Sequence, residues 1–420
     1  MRVAVWHNLP SGGGKRALFY HVRGLVERGH TVESWCPPSA DQSYLPRSEL
    51  VPEHIVSLKT QEPIGAGRVA GLLALYRGPS EAVRALDEHC RQCAEEINRG
   101  AFDILFANTC RFLQVSPIGR YVRMPKVLYL QEPNRPFYEA LPRLRWIGSA
   151  PNGESWWRPI SIKRRILDWI NLEGLRLQAR EELTNAQEYD AILANSLFSR
   201  ESIVRAYGLS AEVCYLGVDG SLFRPHGKER EHFIVGVGAF LSSKGIELAI
   251  RSVSLLNSPR PPLVWIANFG DQNYIDEMKS LAETLQVDFQ VRVGVSDGEL
   301  VDILNRAALM VYTSRLEPFG FAPLEAGACA TPVVAVAEGG VRETVKDGLN
   351  GLLVKDEPKS VAEGMETLLS DPGRARLYGE QGADYVRRAW GLERSIEQLE
   401  NCLFKYASGG RARMPAPARG

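Results

Sequence analysis

The stretch "LMVYTSRLEPFGFAPLEAGACATPVVAVAEGGVRETV", residues 309–345, decides the fold. Residues 309–314 form an apolar run of strand length. A loop holding Glu317, Gly320 and Phe321 follows, and Pro323 then stands where the first turn of a helix would begin. Glu325 falls in that first turn, and "TPVVAV" starts a second apolar run. Strand, loop, helix and strand in this order are the unit of a parallel sheet covered on both faces. Such sheets bind ligands outside the carboxyl ends of their strands, where this loop lies. A helix N-terminus there presents free N–H groups and a positive dipole end, which suit a diphosphate. Two carboxylates beside it serve another purpose. Ionised carboxylates only accept hydrogen bonds, so they fit hydroxyl donors such as a ribose diol and a sugar.

The same grammar extends in both directions. Upstream of the stretch, "HFIVGVGAF" (232–240), "PLVWIANFG" (262–270) and "FQVRVG" (289–294) alternate with helical patterns. Nearer the N-terminus, "RVAVWH" (2–7), "TVESWC" (31–36), "FDILFAN" (102–108), "KVLYLQE" (126–132) and "YDAILANS" (189–196) do likewise. The expected class is α/β, with two Rossmann-like domains facing a cleft. The glycine and proline content of residues 217–230 places the boundary there. Residues 1–216 form the first domain and 217–390 the second; 391–407 make a last amphipathic helix, and the small, basic, proline-rich residues 408–420 a disordered tail.

At 420 residues the chain has room for two such domains, and 45% hydrophobic residues is ordinary globular composition. Fifty Lys/Arg balance fifty Asp/Glu, so there is no electrostatic case for nucleic acid as a partner. No signal-peptide core or transmembrane run is present, and seven scattered cysteines point to reduced thiols and a cytoplasmic protein. Cys90 and Cys93 form one C-x-x-C without a second pair, which reads as two small residues on a helix face.

Five motifs now stand in order. They are "GGGKRALFYHVRGLVERGHTV" (12–32), "ILANSLFSRESIVRAYG" (192–208), "YLGVDGSLFRP" (215–225), "VGAFLSSKGIELAI" (237–250), and "EPFGFAPLE" (317–325) followed by "ATPVVA" and "EGG". Together they resemble family 4 of the retaining glycosyltransferases, with the GT-B fold, over most of residues 1–395. The resemblance implies that the last helix crosses back to the N-terminal domain. It implies that Glu325 binds the donor ribose, Glu317 the donor sugar and Lys244 the diphosphate, helped by backbone around Gly320, Phe321, Gly238 and Gly294. Physical reasoning agrees for Lys244, which follows a strand end where a leaving diphosphate needs positive charge. No D-x-D occurs in the chain, so no metal and no other cofactor is expected.

The chain departs from the family twice. Ala239 follows Gly238 where an arginine is usual, so a phosphate contact is lost or comes from elsewhere, Lys15 and Arg16 being candidates. Gln131 stands where many relatives carry a histidine, followed by Glu132 and Pro133; it is taken as a candidate catalytic position able to hydrogen-bond a sugar hydroxyl.

The N-terminal glycines satisfy G-x-G-x-x-A, but "NLPS" separates them from the strand, which a dinucleotide site does not allow. Gly13 and Gly14 instead let backbone approach the donor's phosphate–sugar junction or the acceptor. Residues 143–180 hold eight Lys/Arg against three acids, with Trp146, Trp156, Trp157 and Trp169 interleaved. Either this region meets lipid headgroups at the inner face of the membrane, or a helix packs its tryptophans into the N-terminal domain. The expected reaction moves a hexose from a UDP- or GDP-sugar to a hydroxyl of a saccharide or lipid-linked acceptor. The alternatives are a sugar-nucleotide epimerase and a non-catalytic nucleotide-sugar-binding protein.

Overall fold

The computed structural model describes residues 1–58, 68–140, 144–147 and 159–409. Thirteen strands among these residues form two sheets. The first holds β1 (Arg2–Asn8), β2 (Thr31–Cys36), β3 (Glu53–Ile55), β4 (Ile104–Cys110), β5 (Lys126–Tyr129), β6 (Ala191–Ala194) and β7 (Glu212–Val213). The second holds β8 (Glu231–Val237), β9 (Leu263–Ala267), β10 (Phe289–Val293), β11 (Ala307–Tyr312), β12 (Val333–Val336) and β13 (Gly351–Val354). Their orders are 3-2-1-4-5-6-7 and 10-9-8-11-12-13, with parallel pairing between neighbours. The α/β class and the two Rossmann-like sheets are as the alternating pattern requires.

Why these runs make strands is plain from their burial. All seven residues of β4, all five of β9 and all four of β12 are buried, which leaves no polar face for solvent and suits a sheet covered on both sides. In each sheet the strand order reverses direction at one point: between β1 and β4 in the first, between β8 and β11 in the second. Loops leaving the carboxyl ends of strands on either side of a reversal diverge and open a crevice. The sequence motifs leave from these ends: the glycine loop from β1, the lysine turn from β8 and the two-glutamate loop from β11.

Apolar packing is continuous between the halves, running from Leu25 and Leu399 through Val218 and Phe223 to Leu324 and Val333. The helix Leu392–Ala407 lies against the helix Gly13–Glu27 of the first domain. An added Cβ on Gly24 would stand 2.5 Å from Ile396, and Arg28 and His30 reach Glu400 at 2.8 and 2.7 Å. The chain also passes between domains in two adjacent segments. Val218 N donates to Trp390 O at 2.8 Å and Leu392 N to Val218 O at 3.1 Å. Gly217 permits this approach, since an added Cβ would meet Leu392 Cα at 2.7 Å.

Cys90 and Cys93 are buried on the helix Arg68–Arg99. Trp156, Trp157 and residues 410–420 lie outside the described residues.

Candidate functional site

The loop after β11 runs to a helix at Phe321–Ala328, which starts two residues ahead of Pro323. Glu325 therefore stands in its second turn rather than its first. The loop rests on the "EGG" segment. An added Cβ on Gly339 would lie 2.4 Å from Glu317 O, and one on Gly340 would lie 2.2 Å from Pro318 O, so no larger residue fits beneath it. Gly339 also has a φ of 61°.

Lys244 ends a short turn, Ser242–Lys244, that follows β8. Arg315 N donates to Ser243 O at 2.9 Å, and Thr313 Oγ1 donates to Lys244 O at 3.1 Å. The two loops are thereby tied together. The Lys244 side chain lies over Gly238, its Cγ 3.3 Å from where a Cβ would be. Its Nζ donates to Glu317 Oε2 at 2.6 Å, and Ser314 Oγ donates to the same oxygen at 2.9 Å. Burial alone would raise the Glu317 pKa. The ammonium of Lys244, with Arg135 and the Ser314 hydroxyl, outweighs burial and holds the carboxyl below its ordinary value.

Glu325 lies apart from this pair and is nearly covered, its side chain 7% exposed. Burial pushes its carboxyl above the ordinary range, although Arg16 opposes this from 3.5 Å. Arg16 comes from the other domain, in the first turn of the helix Gly13–Glu27. It also binds both oxygens of Asp297, at 3.1 and 2.5 Å, and lies between the rings of Tyr44 and Phe223. Asp297 opens the helix Asp297–Arg306, three residues after Gly294. Two acids of one domain thus hold one arginine of the other.

Gln131 lies against the glycine loop: an added Cβ on Gly14 would stand 3.0 Å from its Nε2. That Nε2 is buried and, among the described residues, without a hydrogen-bond partner, while a Cβ on Gly13 would meet none of them within 4 Å. Gln131, Gly13 and Gly14 therefore share one patch, Lys244 and Glu317 a second, and Glu325 a third beside Arg16. Neither candidate for the missing phosphate contact is free. Lys15 is buried, its Nζ bonded to Asp41 Oδ1 at 2.6 Å and to the Asp41 carbonyl, and Arg16 is held as described.

The structure brings up a cation that the sequence reading missed. Arg135, which opens the short helix Arg135–Tyr138 after β5, donates from one terminal nitrogen to Arg315 O at 2.8 Å across the cleft and from Nε to Glu139 at 2.6 Å. Its charge acts on Glu317. The signal in the sequence was only the charged segment "QEPNRP" at a strand's carboxyl end. Ser196 Oγ also donates to Pro318 O at 2.5 Å, so the first domain holds the two-glutamate loop at two points.

Among the described residues one group has metal-binding geometry: His7, Cys36 and Glu53. The fully buried Arg47 donates from Nε to Glu53 at 2.9 Å, so a guanidinium already supplies the counter-charge there. In residues 143–180, Trp146 and Trp169 are both about half exposed, and Trp146 Nε1 donates to Phe137 O at 3.3 Å. No helix among the described residues is long and apolar enough to cross a membrane.

Residues 220–385, which contain Lys244, Glu317 and Glu325, match the family model described as glycosyl transferases group 1. Residues 220–385 are thus similar to the group 1 glycosyltransferases. Among curated relatives, D-inositol 3-phosphate glycosyltransferase 1 of Catenulispora acidiphila is 30% identical over 248 residues, 53% of this chain and 59% of that protein. Alpha-maltose-1-phosphate synthase of Mycolicibacterium smegmatis is 31% identical over 240 residues, 50% of this chain and 62% of that protein. These matches span about three fifths of the relatives' own lengths. The fold is similar over nearly the whole chain to that of Anabaena HepE, solved with UDP and glucose: TM-score 0.69, 18% identity, 96% of this chain and 99% of that one. WaaG, a glycosyltransferase involved in lipopolysaccharide biosynthesis, gives a TM-score of 0.62 at 14% identity, over 97% of this chain and 100% of that one. The two-domain architecture is therefore the GT-B fold.

Proposed function

We propose that this protein transfers a hexose, with retention, from a UDP- or GDP-sugar to a hydroxyl of a saccharide or lipid-linked acceptor. The supporting observation is the Lys244–Glu317 pair at the strand-order reversal of the second sheet, with Glu325 on the same loop–helix unit. A cation and a carboxylate 2.6 Å apart can meet the two ends of one bond, the departing diphosphate and the sugar hydroxyls. In this reading Glu325 takes the ribose, Glu317 the sugar and Lys244 the diphosphate. Backbone at Gly320, Phe321, Gly238 and Gly294 lines the donor, and Gln131, Gly13 and Gly14 close it from the first domain.

Residues 1–216, with the helix of 391–407, hold the acceptor, and residues 217–390 hold the donor. The absence of D-x-D supports chemistry in which lysine and helix dipole neutralise the leaving group without a metal. UDP in the HepE complex supports a uridine donor, and the names of the curated relatives support a phosphorylated or saccharide acceptor. Exposed Trp146, and exposed Trp169 on the helix that carries the exposed Arg176 and Arg180, support contact with a membrane surface on the cytoplasmic side.

A panel of UDP- and GDP-sugars, screened by thermal shift and then by mass analysis of the donor incubated with a set of saccharide acceptors, tests the reading. Free nucleoside diphosphate is the expected product. An isomerised donor would make the protein an epimerase, and a bound but unchanged donor would make it a binding protein.

A further inference from the structure

Glu132 stands three residues beyond the end of β5, on the first domain's side of the cleft. The charges that act on it come from both domains: Arg135 and Glu139 beside it, Lys244 and Glu317 opposite. The other carboxylates here are satisfied, Glu317 by Lys244 and Ser314, Glu139 by Arg135. Glu132 is not. Its Oε2 is covered, although the side chain as a whole is 31% exposed, and among the described residues it accepts no hydrogen bond, with Arg135 Nε 3.6 Å away. Nor does Arg135 need it as a counter-charge, since Glu139 and the Arg315 carbonyl already take up that guanidinium. A buried polar atom without a partner in a cleft calls for a donor from outside the chain.

We propose that Glu132 is a catalytic residue on the acceptor side, its Oε2 accepting first a hydrogen bond and then the proton of the acceptor hydroxyl. The inference rests on the transfer reading above and adds to it the group that activates the acceptor. The acceptor oxygen bonds to the anomeric carbon on the face that the diphosphate oxygen leaves, as that carbon's bond to the diphosphate oxygen breaks, so the configuration is retained. The bonding pair leaves with the diphosphate, and the acceptor's proton passes to Glu132 and from there to solvent. Gln131 next to it has no basic atom and serves only to hydrogen-bond.

The electrostatics agree with this placement. Burial, the largest influence, together with Glu317 and Glu139, pushes the Glu132 carboxyl up to about 7, against the pull of Arg135 and Lys244. A base is most effective when its pKa lies near the working pH. It must be ionised to act, so kcat/KM should rise with pH through about 7 and then level.

The test uses the full-length protein and the sugar nucleotide that the panel identifies, with water as acceptor and release of nucleoside diphosphate as readout. In Glu132→Gln, kcat should fall by about 10²-fold or more and the acid limb of kcat/KM should vanish. Calorimetric affinity for the nucleoside diphosphate should stay within roughly threefold of wild type, because the side chain does not touch it. Glu132→Asp should retain the limb at a reduced rate. A Gln variant with wild-type kcat and an unchanged limb overturns the proposal, as does one that loses nucleotide affinity and thermal stability together. If the wild type releases no nucleoside diphosphate from any sugar nucleotide, with water alone or with saccharide acceptors added, the transfer reading fails, and this inference with it.

Discussion

Replacing Glu325 by glutamine should separate stability from binding. In the folded protein burial raises the Glu325 carboxyl above its ordinary value despite Arg16 at 3.5 Å, so the fold disfavours the charge. A raised carboxylate pKa costs stability at every pH above the folded value, and the cost is relieved as pH falls through it. Glutamine keeps the shape without the charge, and Arg16 keeps both bonds to Asp297. Glu325→Gln should therefore unfold at the same temperature as wild type or higher at neutral pH, the difference closing in acid.

Binding should go the other way. A charged hydrogen bond to a ribose hydroxyl contributes about 1.5–3 kcal/mol, or roughly 10- to 100-fold in Kd. In the unliganded cleft Arg16 already holds Glu325, so ribose replaces a partner rather than water, and about 10-fold is expected. Calorimetry with the free nucleoside diphosphate and thermal unfolding of both proteins supply the two readouts. Unchanged nucleotide affinity would remove Glu325 from the site. A melting temperature lowered by more than about 3 °C would show that the Arg16 pair outweighs burial.

Three other perturbations follow from the same geometry. Glu317→Gln should leave free nucleoside diphosphate binding nearly intact and lower turnover; an equal loss of affinity for nucleotide and intact donor would contradict a sugar contact. Lys244→Ala should cut turnover about 10²–10³-fold, the scale of losing one fixed electrostatic donor, and wild-type activity should persist in EDTA. Abolition by EDTA with rescue by magnesium would refute the charge account. Arg16→Met leaves Asp297 and Glu325 without their shared cation, and should lower stability by about 3 kcal/mol in denaturant titration; an unshifted midpoint would refute it.

Periodicity carried the fold: fully apolar runs such as β9 and β12 admit little but a covered parallel sheet, and loops at their carboxyl ends follow from topology. The boundaries were less legible. Gly320, at φ 93°, lets the helix start at Phe321 ahead of Pro323, a choice made by backbone geometry rather than by composition. The contacts across the cleft were least legible. Arg16 and Asp297 are 281 residues apart, and Arg135 reaches the carbonyl of Arg315, a group every residue possesses. No spacing rule connects such partners; only the packing of two domains does.

The hydrogen bonds between Val218, Trp390 and Leu392 bring the two ends of segment 219–390 to the same point. The second domain is thus an insertion into the first, entering and leaving through one doorway. A homologous segment of different length could replace it there as a cassette without threading through the fold or extending the connection. The same doorway makes residues 392–407 an integral part of the first domain, so a chain cut at about residue 390 would expose the apolar face of the helix Gly13–Glu27.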